Sequence, residues 1–131
     1  MATFSARKLS ETSIMEQLTD CNSSGDNFYN SGIEFIKFVN DHASAHYTIT
    51  ITPNVTSVTT SLHGTMTKAA TTINIEDGEE AYVGPFKPSV WNDSSNKINI
   101  TYNVTGGTDA ISTISSGTHA LKAELLFLDP K

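Results

Sequence analysis

His42 and His46 stand four residues apart in "NDHASAHYT", a spacing that on a helix would turn two imidazoles to one side for a metal. Here the two rings flank a turn, and no third ligand is spaced beside them, so they read as turn or surface histidines. Asp41, His42 and Ser44 carry the residue types of nucleophilic catalysis. A triad needs its base held between two partners, and near-adjacent residues in a turn point apart. Glu76, Asp77, Glu79 and Glu80 crowd one turn but lack the regular oxygen-ligand spacing of a calcium loop, so they read as a solvated acidic turn. Gly106-Gly107 lies in a polar loop without the lysine of a phosphate-binding loop. Cys21 is the one cysteine, which excludes an internal disulfide framework and a multi-cysteine zinc site. It reads as a partly buried, inert thiol. No catalytic, metal or cofactor-binding residue is expected, and the chain reads as a non-enzyme.

The elements around these residues follow from composition and pattern. At 131 residues the chain is sized for one domain with a single core. The formal net charge is −6, and the eight Lys and Arg residues are scattered, which argues against nucleic acid as a partner. No apolar run reaches the length of a membrane helix, and "MATFSARKLSET" lacks the apolar core of a secretory signal. The expectation is a soluble protein made in the cytosol, with no membrane partner. Sequons beginning at Asn22, Asn54, Asn92, Asn99 and Asn103 are then expected to stay unmodified.

From Ile33 onward the vocabulary is that of strands: "IEFIKFVN", "YTITIT", "VTSVTTS", "TTINIE", "AYVGPF" and "INITYNV". Tyr47, Ile49 and Ile51 alternate with threonines, and Ile98, Ile100, Tyr102 and Val104 alternate with Asn99, Thr101 and Asn103. Each such strand has one dry and one wet face. The fold class is therefore all-β, a β-sandwich of jelly-roll or immunoglobulin-like kind, formed by residues 30–131. Residues 1–29 are expected to form an extended N-terminal arm or a short helix, because Ser13 and Glu16 have capping-box spacing. "HALKAELLFL" suits either helix or strand, and a final strand is preferred, with Leu121, Ala123, Leu125 and Phe127 on one side.

Two stretches suggest contact with a partner. "IEFIKFVN" is apolar on both faces, and the expectation is a central strand with Ile33, Phe35 and Val39 inward. Ile36 and Phe38 then need cover from another segment or a partner. "YVGPFKPSVWND" places two prolines among aromatics. Such a segment runs along an edge or crosses between sheets and can present Phe86, Val90 and Trp91 rigidly. Trp91 is either a core plug, the preferred reading, or an interface anchor. The candidate interface residues are thus Ile36, Phe38, Phe86 and Trp91.

From Gly25 to Tyr102 the chain resembles a family of small structural proteins of tailed-bacteriophage virions, commonly head decoration or cement proteins. The resemblance rests on "GDNFYNSGIEFIKFVN", "TITITP", "INIEDGEEAYVGPFKPSVWND" and "KINITYN". It implies a β-sandwich that assembles, often as a trimer, on the outer face of an icosahedral shell and binds the major capsid protein. The expected role is to bridge neighbouring shell subunits and oppose their separation, with the virion capsid surface as its location. A head-to-tail or tail structural protein is the alternative within that class. A carbohydrate-binding or adhesion module, with Tyr82, Trp91 and Tyr102 as stacking platforms, is the alternative outside it.

Overall fold

The alternating sequences fold into two facing sheets in the computed structural model, which describes residues 2–9, 16–41, 45–55, 57–62, 64–106 and 121–128. In chain order the elements are β1 (Ala2–Phe4), β2 (Arg7–Lys8), β3 (Thr19–Asp20), β4 (Asp26–Tyr29), β5 (Glu34–Asn40), β6 (His46–Thr52), β7 (Ser57–Thr60) and β8 (Gly64–Thr67). There follow β9 (Thr71–Ile75), β10 (Glu80–Val83), the single helical turn α1 (Pro88–Trp91), β11 (Lys97–Gly106) and β12 (Leu121–Phe127). One sheet has the order β1-β4-β11-β6-β9, and the other β10-β5-β12-β2 with β3 also on β12. β7 and β8 form a separate hairpin. β1 on β4 and β2 on β12 are parallel pairs, and the remaining pairs are antiparallel. The result is a β-sandwich.

The core lies between the sheets. Phe28, Tyr47, Ile49, Ile51, Ile75, Ile98 and Ile100 from the first sheet meet Ile36, Phe38, Leu121, Ala123 and Leu125 from the second. The alternation on β6 and β11 sets this directly, because cross-strand partners such as Ile100 and Ile51, or Tyr102 and Ile49, share a face. Residues 121–127 form a strand, and it is central, flanked by β5 on one side and by β2 and β3 on the other.

The facing of β5 is the reverse of the expectation. Glu34, Ile36, Phe38 and Asn40 point inward, while Phe35, Lys37 and Val39 are half-buried on the outer side and Ile33 is exposed. Lys37 decides the matter: it lies on the Phe35 and Val39 row, and a lysine charge is not buried in a core. The opposite row can turn inward because its polar ends are satisfied locally. The Asn40 amide donates to the Ala45 carbonyl at 2.7 Å, and Glu34 accepts from Ser31. Ile36 and Phe38 are therefore core residues, not a second apolar face awaiting cover.

The described part of residues 1–29 does not stand off as an arm. β1 extends the first sheet and β2 the second, so one short segment closes an edge of each. Phe4, Cys21 and Phe28 belong to the core cluster. Arg7 pairs with Glu124, a carboxylate only 5% exposed. A period-2 pattern cannot appear in strands of two or three residues, so this segment carried no strand signal. The proposed helical turn around Ser13 lies outside the described residues.

Candidate functional site

The described side chains among those singled out for chemistry turn to separate local partners. His46 Nε2 lies 3.1 Å from Asp77 Oδ1 on the surface; His42 and Ser44 lie outside the described residues. Around the acidic turn, Glu79 accepts from the Glu76 N–H at 2.9 Å and Glu80 lies 3.8 Å from Lys37. The carboxylates thus diverge to different partners instead of converging on a cation. Among the described residues no cluster of three or more His, Cys, Asp or Glu has metal-binding geometry. Burial pushes the Cys21 thiol far above its ordinary range, with only partial relief from a hydrogen bond with Tyr102, and a thiol held protonated is a poor nucleophile. Tyr102 donates to Asp26 Oδ2 at 2.8 Å, and the Asn22 N–H donates to the same oxygen at 2.9 Å. Burial, followed by the charge of its neighbours, drives the Tyr102 phenol strongly upward. This cluster ties the β3–β4 turn to β11.

The "YVGPFKPSVWND" elbow is a crossover. It leaves β10 at the edge of one sheet and delivers the chain to β11 in the other. The Gly84-Pro85 peptide is cis, and Gly84 has φ +120°, a conformation that favours glycine. A Cβ there would lie 3.0 Å from the Glu34 carbonyl oxygen and from Phe35. Pro88 opens the helical turn, and the elbow is then clamped by side-chain amides. Asn30 Nδ2 donates to the Phe86 carbonyl at 3.0 Å and to Asn92 Oδ1 at 2.7 Å, while Asn92 Nδ2 donates back to the Asn30 carbonyl at 2.9 Å. Phe86 and Trp91 pack edge-to-face with centroids 5.1 Å apart, and Phe28 lies 6.0 Å beyond Phe86. Both rings of the elbow point into the core, with Phe86 4% and Trp91 8% exposed. Trp91 is the core plug that the sequence favoured, and its face is roofed by Lys68 at 5.3 Å.

Glu34 secures the entry to β5 beside the elbow. Burial works against its charge, and it is outweighed by donation from the Ser31 hydroxyl and from the Ser31 and Ile33 N–H groups, so the carboxyl lies below its ordinary value. A group depressed on folding stabilises above its unfolded pKa and loses that contribution as pH falls through its folded pKa. Melting temperature is therefore expected to drop as pH is lowered through the acid range below about 4.5. Glu34→Gln should flatten part of that slope in a pH series of thermal melts. Asp93, depressed by Asn99 and then by the Lys97 and Ser95 N–H groups, leaves a residual slope of the same sign.

All four candidate interface residues are thus interior: Ile36 and Phe38 by the facing of β5, Phe86 and Trp91 by the elbow. Of the three aromatic platforms, Trp91 and Tyr102 are buried, while Tyr82 is 62% exposed. The outer faces of the two sheets differ sharply. That of β10-β5-β12 carries half-buried Phe35 and Val39 with Leu126, and Tyr82 stands over Lys37 at 5.7 Å. Lys37 pairs with Glu16, and a shallow depression of about 240 Å³ is lined by Leu9, Glu16, Lys37, Tyr82, Glu124 and Leu126. The position of Lys37 in its row was the sequence signal for this face. The other outer face carries Thr48, Thr50 and Thr52 on β6, Asn99, Thr101 and Asn103 on β11, and Thr72 and Asn74 on β9, in register across the strands. It holds hydroxyls and amides almost alone. The chain matches no protein-family model, no curated protein and no solved structure.

Proposed function

We propose that this chain is a decoration, or cement, protein of a tailed-bacteriophage head. It binds the outer face of the icosahedral shell as a homotrimer and bridges neighbouring major capsid subunits, without catalysis or a cofactor. Its location is the virion surface. The mechanism is linkage: a protein that binds only the assembled shell shifts the equilibrium towards that shell.

The observation that supports this reading is the outer face of β10-β5-β12. Exposed Tyr82 and the half-buried Phe35 and Val39 offer an aromatic and aliphatic centre. Lys37 stands between Phe35 and Val39 on the same face, opposite Tyr82, and is paired with Glu16 and Glu80. Aromatic residues are enriched in protein-binding patches, and tyrosine is a frequent anchor in one. Tyr82→Ala is expected to keep folding stability within about 0.5 kcal/mol while lowering occupancy on empty phage heads about tenfold or more. Cosedimentation with purified heads measures this. Unchanged occupancy removes this face from the docking site, and no binding of the parent protein to any head removes the proposal.

A further inference from the structure

We infer that the outer face of the β1-β4-β11-β6-β9 sheet is a binding surface for an uncharged saccharide, seated on Tyr29. This inference does not rest on the decoration reading, since it concerns the opposite sheet. Tyr29 ends β4 on the outer side and is 59% exposed. Its cross-strand partner is Lys97, whose ammonium sits 4.7 Å from the ring centroid and holds the ring in place. From the ring the outward rows lead across the sheet through Thr52, Thr101, Asn103, Thr72 and Asn74, all exposed.

Three features select the occupant. The first is charge. The protein carries 22 Asp, Glu, Lys and Arg residues (8 + 14), yet the outward rows of β6, β9 and β11 hold none apart from Lys97 at one end. Lys97 is balanced by Asp93, which accepts its backbone N–H at 3.0 Å and the Asn99 amide at 2.9 Å. A face without net charge has little pull on nucleic acid or an acidic polymer. The second is hydrogen-bonding capacity. Hydroxyls and amides both donate and accept, so they can exchange water for the hydroxyls of a polyol, and strand positions hold them in place without the ordering cost of a loop. The exposed tyrosine adds an amphipathic plate with few rotors, suited to the C–H face of a sugar ring.

The third is area. Five strands at about 4.8 Å spacing and about 20 Å of strand length give roughly 500 Å². That is below the about 800 Å² per partner of a stable protein interface, so a second copy of the chain is a poor fit. It is ample for a short oligosaccharide.

The test is a glycan array carrying neutral and acidic glycans, followed by amide NMR titration of the isotope-labelled protein with the strongest neutral hit. The expected result is saturable binding of neutral glycans, with shifts confined to β4, β11, β6 and β9. Tyr29→Ala should weaken binding at least tenfold at an unchanged melting temperature, and Tyr29→Phe should retain it. Four results overturn the inference: no neutral glycan bound, equal or stronger binding of acidic glycans, shifts centred on Tyr82 instead, or Tyr29→Ala binding like the parent.

Discussion

Trp91→Ala lowers folding stability by about 3–5 kcal/mol, the usual cost of emptying a buried aromatic site. For a domain of this size that corresponds to a fall in melting temperature of roughly 10–20 °C. The indole is 8% exposed, packs against Phe86 at 5.1 Å and lies under the Lys68 ammonium. Removing it leaves Phe86, and Phe28 behind it, without a partner on the elbow side. The elbow is rigid, held by Asn30 and Asn92, so it cannot collapse to fill the space. Thermal and urea denaturation of the variant read the cost. A change under about 1 kcal/mol would mean that the ring is not part of the core, and would return it to the role of a surface anchor.

Removal of residues 1–9 has the second large effect, and it separates two pictures of the N-terminus. An arm that orders only on a partner could be cut away at almost no cost to the fold. In this structure the cut removes Phe4 from the core, uncovers the edges of β4 and β12, and leaves the buried Glu124 carboxylate without Arg7. Phe4→Ala alone is expected to cost about 3–5 kcal/mol, and stranding a buried carboxylate costs about as much again. The two sites are neighbours, so their costs do not simply add. Against a total of about 5–15 kcal/mol for a typical domain, the truncated chain is expected to lose its near-ultraviolet circular dichroism and its dispersed amide spectrum at 25 °C. A truncated protein that melts within a few degrees of the parent would restore the arm.

The sandwich was legible where periodicity ran long. β6 and β11 are seven and ten residues of alternation, enough to fix which face is dry. β5 was legible as a central strand but not in its facing, because both rows are apolar and only Lys37 breaks the tie. β1, β2 and β3 were invisible for a different reason: pairings of two or three residues are set by tertiary contact, not by local pattern. The elbow was legible as a constrained segment that runs along an edge or crosses between sheets, since two prolines and a glycine constrain the backbone directly, and it is a crossover. Phe86 and Trp91 were named as candidate interface residues, with a core plug the preferred reading of Trp91. They proved interior because Asn30, far away in sequence, draws the Phe86 carbonyl inward. Tyr82 was named from the sequence as a stacking platform and is exposed, whereas Tyr29 was not named, because its place on the outer face opposite Lys97 follows from the register.

The closing of both sheets by β1 and β2 carries a consequence for the order of folding. Arg7 lies opposite Leu126, and its partner Glu124 is 117 residues away. β12, the centre of its sheet, leaves the ribosome after every other strand of that sheet. At a synthesis rate of about 5–20 residues per second, β2 waits roughly 6–24 s before that strand exists, whereas β1 finds its partner β4 within the first thirty residues. During this interval the β5 edge of the β5–β10 pair, later covered by β12, is open, the kind of edge that recruits another chain. Contacts so distant in sequence also make for slow folding once the chain is complete. Nascent copies emerging side by side on one message therefore meet with matching strand edges exposed, so the yield of folded protein should depend on expression rate and temperature more steeply than the stability of the finished sandwich would suggest.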